Sequence, residues 1–208
     1  AVVLWDKYNL SPFLNAAGIS ASMEPAEVTN FDSGGNREYI KGITDVTLSL
    51  EGFYSNATTA PSTEINDVLT AAFDGTTSPV VTLGLEDDTI GRRAWLFLGD
   101  AVQYDIDAPF DDAIATSVDL QGSQGYASGV WLKHLSASTQ TTAHAAVNSG
   151  LTNGGTTGGA VAHLHVVAER NVTTYTVKVQ HSTSGSTWAA VVTFTASTAT
   201  VVQRSRST

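Results

Sequence analysis

His163 and His165, separated by one residue, are the side chains in this chain best spaced to share a ligand. Side chains alternate along a strand, so both imidazoles stand on one face, where two histidines begin a metal site. The nearest carboxylate in sequence is Glu169. The competing expectation is the polar outer face of a strand, with Leu164 turned inward. The acidic clusters come next: Glu86, Asp87 and Asp88, then Asp105, Asp107, Asp111 and Asp112. Oxygen ligands at this density suit calcium, and paired carboxylates suit glycoside hydrolysis. The spacing matches no EF-hand loop, and the glycine of its turn is missing. A solvated acidic rim is therefore the expectation.

Nucleophilic chemistry finds no template. Gly122-Ser123-Gln124-Gly125 lacks the spacing of the Gly-x-Ser-x-Gly elbow, and no phosphate-binding loop, dinucleotide fingerprint or kinase loop is present. The chain has no cysteine, which removes thiolate nucleophiles, zinc–thiolate sites and disulfides together. Trp188, after the turn "TSGS", suits either a sugar-stacking surface or the base of a hairpin, and the hairpin anchor is expected. Asn56-Ala-Thr and Asn171-Val-Thr fit the glycosylation pattern, but with no signal peptide expected they are read as chance. The expectation is a protein that is not an enzyme and uses no cofactor or metal.

Composition says what such a chain is built for. Its 208 residues allow one large domain or two small ones. Charged residues make up 14 %, against about 25 % in a typical domain, and Thr, Ser, Val, Ala and Gly fill the space. That favours strands with uncharged polar surfaces. The formal net charge of −10 is unevenly spread. Residues 1–119 hold 19 acidic side chains against five basic ones, a net of −14. Residues 120–208 hold one acidic against five basic, a net of +4, and all five histidines. Two surfaces with different tasks are expected, and the acidic one repels phosphate rather than holding nucleic acid. The N-terminus "AVVLWDKYNL" lacks a basic start and a long apolar middle, so assembly in a cytoplasm is expected.

The elements follow from periodicity. Between Gly42 and Tyr54, Ile43, Val46, Leu48 and Leu50 are apolar, with Thr47, Ser49 and Glu51 between them, which predicts a strand with one packed and one polar face. "DSGGN" (32–36) predicts a turn before it. "PSTEINDVLTAAFD" (61–74) predicts the one helix. Pro61, Ser62 and Thr63 start it, Asp67 suits its positive end, and Ile65, Val68, Leu69, Ala72 and Phe73 form its apolar face. Strands are expected over 79–86, 92–107 and 114–123, with another inside 126–139. A Gly/Thr/Asn loop is expected over 148–159. The stretches 160–168, 174–182 and 187–196 predict an antiparallel meander. "RSRST" carries no closing strand signal, so a truncated or disordered tail is expected.

With the residues laid out, a resemblance emerges. Asp6–Tyr54, through Leu10-Ser11, Phe13-Leu14-Asn15, Thr29, Phe31, and "REYIKGITDVTLSLEGF" from Arg37 to Phe53, is similar to the opening of the major tail proteins of long non-contractile-tailed bacteriophages, those of actinobacteria in particular. Residues 162–196 resemble the closing region of the same group. The resemblance implies a mainly β fold, a tail-tube-type β-barrel or sandwich with the helix packed on its outside. A core domain over 1–120 and a β-sandwich-like part over 121–208 are expected, with a soft boundary. It also implies a homo-oligomer of stacked hexameric rings in the virion tail, with an acidic lumen through which DNA slides unbound. The tape measure, tail terminator and distal tail proteins would be further partners, and no membrane is involved. Glu51, Glu86, Asp87, Asp88, Asp105 and Asp107 are the lumen candidates. Arg37, Glu38, Tyr39, Lys41, Arg92 and Arg93 are the inter-subunit candidates. The alternatives are a carbohydrate-binding or adhesin-type sandwich, motivated by Trp131, Tyr175 and Trp188, and a capsid decoration or minor tail protein.

Overall fold

A computed structural model describes residues 1–30, 33–55, 64–135, 160–168, 174–182, 184–200 and 202–207, with the backbone alone at 124–125 and 206–207. The chain is mainly β. In order run β1 (Val2–Trp5), β2 (Tyr8–Asn9), β3 (Leu14–Met23), β4 (Ala26–Glu27), β5 (Tyr39–Ile40), β6 (Thr44–Phe53), α1 (Ile65–Phe73), β7 (Val80–Gly84), β8 (Arg93–Asp107), β9 (Ala115–Val130), β10 (Ala160–His165), β11 (Lys178–His181), β12 (Ala189–Thr193) and β13 (Val202–Ser207). Seven of them form one antiparallel sheet in the order β2-β1-β7-β8-β9-β6-β3.

Alternation decides which face of this sheet is dry. Val46, Leu48 and Leu50 of β6 are buried, and their cross-strand neighbours Leu120 and Val118 of β9 are buried with them. Helix α1 lies over this face and supplies Ile65, Val68 and Leu69. Trp5, Val81, Leu83 and Phe97 complete the core toward β1. The helix begins after Glu64, whose backbone is extended, and Asp67 sits in its first turn, where a negative charge favours the helix dipole. Tyr104 of β8 donates a hydrogen bond to Asn66 Oδ1 (2.7 Å), tying helix to sheet. Phe73, expected on the apolar face, is instead half exposed, because the last turn runs past the core. Residues 61–63, expected to start the helix, lie outside the described residues.

Close approach fixes one glycine. A Cβ on Gly52 would overlap the Phe13 carbonyl oxygen, which accepts from Phe53 N (3.0 Å) where β3 meets β6. Gly52→Ala is expected to cost about 1–3 kcal/mol, seen as a lower urea midpoint at an unchanged m-value.

Several expected boundaries move. The strands expected over 114–123 and within 126–139 are one continuous strand, β9, because β8 offers a partner for its whole length, from Asp107↔Ala115 to Arg93↔Val130. Two bulges, beside Gly99 and Gln103, absorb the extra residues. The expected division at residue 120 falls inside this strand. The last strands are not a meander: β11 pairs with β12, while β10 pairs with β13. The tail, expected to lack a strand, contains β13, because β10 supplies a complete antiparallel ladder from Ala160↔Ser207 to His165↔Val202. Gln203 fastens β13 to the end of β12 by accepting from Thr195 N (2.8 Å) and donating to Thr195 O (2.9 Å). Residues 148–159 and 169–173 and both glycosylation patterns lie outside the described residues.

Candidate functional site

The second face of the sheet is divided in two. Over β1, β7 and the start of β8 it is covered. Leu4 and Ala94 are buried there with Trp131, and β10 lies over Thr82 of β7, which is also buried. His163 and His165 meet at Thr82 Oγ1, at 3.1 Å from Nδ1 of His163 and 2.8 Å from Nε2 of His165. Nδ1 of His165 lies 2.6 Å from the Asp6 carbonyl oxygen. A carbonyl only accepts, so Nδ1 of His165 carries the proton and its Nε2 accepts from the Thr82 hydroxyl. The hydroxyl oxygen then accepts from Nδ1 of His163. This proton order requires His165 to be neutral, whereas Nδ1 of His163 donates in either charge state. Nε2 of His163 is buried without a hydrogen-bond partner.

Burial, with the nearby charges of His165 and Arg204, pushes the His163 pKa down to about 3; the Val81 backbone opposes this weakly. Burial also lowers the His165 pKa. The Asp6 carboxyl is raised, chiefly by burial, although Val80 N donates to it (2.9 Å). The expectation of a polar outer face with Leu164 inward is thus reversed: the histidines face the sheet, because Thr82 and the Asp6 carbonyl give them partners. Three of their four ring nitrogens look onto these groups, and the fourth, Nε2 of His163, is shut in by packing. Among the described residues no cluster of three ligating His, Cys, Asp or Glu side chains forms.

The other half of this face, over β8, β9, β6 and β3, is bare. Cross-strand register lays out its rows. Glu51 stands beside Ser117, which stands beside Asp105; Ser49 leads to Asp119 and Gln103; Thr47 leads to Gln121 and Asp100. Strand β3 adds only Ala16, Gly18, Ser20 and Ser22 to the same rows. No Lys or Arg occurs in β6 or β9, and the one in β8 is its first residue. The polar groups are tied to one another: Gln103 donates to Asp105 (2.6 Å), Ser78 to Asp100 (2.5 Å), and Gln121 to Asp45. The result is a wall of small and anionic groups on rigid strands.

Of the lumen candidates, Glu51, Asp105 and Asp107 share this wall, and all three are exposed. Glu86, Asp87 and Asp88 do not join them. They occupy the β7–β8 turn, before the start of β8, and Asp105 lies twelve positions along that strand from Arg93, about 40 Å at the usual rise. There Glu86 pairs with Arg92 (2.7 Å), Asp88 accepts from Leu135 N (2.6 Å), and Asp87 accepts from Thr89 N, the bond that chiefly lowers its pKa. Asp45, Asp100 and Asp119 belong to the wall and were not expected there. Their signal was the alternation of Asp119 with Val118 and Leu120, the same signal that revealed Glu51.

The inter-subunit candidates have local settings. Arg37 lies 3.9 Å from Glu27, and Tyr39 is exposed, on an arm whose described residues are 24–30 and 33–43 and whose two short strands pair Ala26↔Ile40 and Glu27↔Tyr39. Glu38 N donates to Thr29 Oγ1 (3.0 Å) on the same arm. Gly34 and Gly35, at φ 60° and 82°, make its turn. Arg93 donates to Ser128 (3.2 Å). Lys41, at the foot of the arm, has no ion pair among the described residues. Strand β3, ten residues without a charge, is hydrogen-bonded on one side only, to β6. Neither Lys, Pro nor a covering segment blunts this edge among the described residues, so it remains able to pair with another chain. Of the aromatics that motivated a sugar-binding surface, Trp131 is buried and Tyr175 donates to the Ala199 carbonyl, leaving Trp188 alone half exposed.

No family model and no curated protein matches this chain. Among solved structures, a chain of the virion of the native gene transfer agent particle is 16 % identical, with a TM-score of 0.46 over 56 % of this chain and 84 % of that one. A chain of the anti-feeding prophage baseplate is 13 % identical, with a TM-score of 0.45 over 61 % and 89 %. A chain of the SPP1 tail tube is 10 % identical, with a TM-score of 0.47 over 64 % and 80 %.

Proposed function

We propose that this chain is a structural, non-enzymatic subunit of a phage tail tube, closing into hexameric rings that stack into the conduit for DNA ejection. The observation that carries this reading is the bare acidic wall on β8, β9 and β6, bounded by the open, uncharged edge of β3. Pairing that edge with a neighbouring copy continues the wall around a ring and removes the exposed edge. A closed wall of carboxylates and hydroxyls repels the DNA backbone everywhere, so the duplex slides without a resting place. The helix-covered face then lies outside. The resemblance of residues 6–54 to the opening of actinobacteriophage major tail proteins supports the same reading. Its partners are copies of itself and, at the tube's two ends and inside it, the tail terminator, distal tail and tape measure proteins. Its place is the virion tail, after assembly in the host cytoplasm.

The test is electron microscopy of the purified protein at rising concentration. Rings of six and tubes with an open lumen are expected. Monodisperse monomers at high concentration would overturn the reading.

A further inference from the structure

We propose that the β8–β9 turn, with Phe110 at its tip, docks head-to-tail into the groove between Met23, Lys41 and Tyr126 at the opposite end of the sheet in a second copy of this chain. The inference rests on the tail-tube reading and names the contact that stacks one ring on the next. Phe110 is 106 % exposed, so no part of its ring touches its own fold. Its neighbours Phe53, Ile106 and Ile114 are also exposed. A single exposed apolar residue is ordinary, but four gathered at one end of a sheet mark a contact surface. Asp107, Asp111 and Asp112 surround the tip, and no cation lies in that turn.

The far end of the same strands is its complement. Phe53 pairs with Ala115 beside the turn, whereas Thr44, nine positions back along β6, pairs with Met23, about 30 Å away. There a groove of about 490 Å³ is lined by Ala21, Ser22, Met23, Lys41, Thr44 and Tyr126. Met23 and Tyr126 are exposed, and Ile43 beside them is 88 % exposed. Methionine adapts to an aromatic ring, and a lysine ammonium is attracted by its face. Lys41 has no ion pair among the described residues, while two nearby carboxylates are engaged: Glu27 by Arg37 and Thr29, and Asp45 by Gln121. Lys41 is therefore available to Asp111 of an incoming tip. Two different surfaces at opposite ends of one subunit make a heterologous contact, which propagates as an open stack rather than closing.

The test compares rings with tubes. Phe110→Ala and Lys41→Glu, both with unchanged circular dichroism, are expected to form rings like the parent protein. Each should raise the concentration needed for tube growth at least about tenfold, as loss of a central anchor does. Adding Asp111→Lys to Lys41→Glu should recover most of that loss. Tubes growing from Phe110→Ala as readily as from the parent protein would overturn the contact and leave the tail-tube reading standing. Parent protein that forms rings but never tubes would do the same. Parent protein that forms neither overturns both.

Discussion

Lowering the pH from 7 to 5 is expected to loosen β10 and β13 from β7 while the seven-stranded sheet stays folded. The cause is the neutral pair at Thr82. Freed, His163 titrates near its ordinary 6.5; docked, it titrates near 3. Between these values only the freed form takes up a proton. The docked state therefore has its full stability above about pH 6.5 and loses it as the pH falls, by about 1.4 kcal/mol per unit. At pH 5 that amounts to about 2 kcal/mol from His163 alone. His165 adds in the same direction, since burial lowers its pKa also. Its protonation would turn Nε2 from acceptor to donor against the Thr82 hydroxyl and break the proton order of the cluster. Arg204, opposite His163 in the β10–β13 ladder, adds like-charge repulsion. Asp6 works the other way, because burial raises its pKa and protonation relieves that cost. Its window runs upward from the ordinary carboxylate value of 3.8, one group set against the two histidines. Hydrogen exchange should show lower protection factors in 160–165 and 202–207 at pH 5, with the slower intrinsic exchange at that pH divided out, and His163→Gln with His165→Gln should remove the difference. Equal protection at both pH values would refute the expectation.

The histidine cluster also shows where sequence reading stops. That His163 and His165 share a face was legible from their spacing, but which face is buried depends on Thr82, 81 residues away in the chain. A strand's own pattern cannot report a partner at that distance. Strand β13 is the same case. "VQRSRS" has no apolar rhythm, and it becomes a strand because β10 presents a row of unpaired backbone groups. By contrast, β6 was legible apart from Ile43, expected among its apolar residues but lying just before the strand and 88 % exposed. Its packed face (Leu48, Leu50) and polar face (Thr47, Ser49, Glu51) follow from alternation against a single core, and a one-residue slip would have put its leucines in water. Strand β9 lies between these extremes. Glycines 122, 125 and 129 interrupt its pattern and suggest a break, yet fifteen residues of β8 hold it as one strand. The wall was half legible for a related reason. Glu51, Asp105 and Asp107 announced themselves by alternation or density, but that Asp119 joins them and Glu86 does not is a matter of register, which density of charge does not encode.

Replacing Glu51, Asp105 and Asp119 together by Lys is expected to create DNA binding that the parent protein lacks under the proposed function. The three side chains lie in adjacent rows of one face, and none is buried, so the fold has no reason to resist the change. The formal net charge moves only from −10 to −4, so a gain in binding cannot come from overall charge, which still repels phosphate. It must come from where the new ammonium groups stand. In the proposed ring each copy would contribute three, facing one another across the lumen, and a duplex entering it would meet cations from every side. Non-specific affinity of about 10⁻⁴–10⁻⁶ M at physiological salt is expected, weakening steeply as salt rises. Fluorescence anisotropy with a labelled duplex measures this, and the parent protein should give no signal. The control is the same charge change at Glu86, Asp87 and Asp88, in the turn some 40 Å along β8. If both triple variants bind DNA equally well in assembled tubes, position does not matter and the wall does not face the channel. If only the sheet variant binds, and phage carrying it adsorb but fail to release DNA, the bare face of β8, β9 and β6 is the surface the DNA passes.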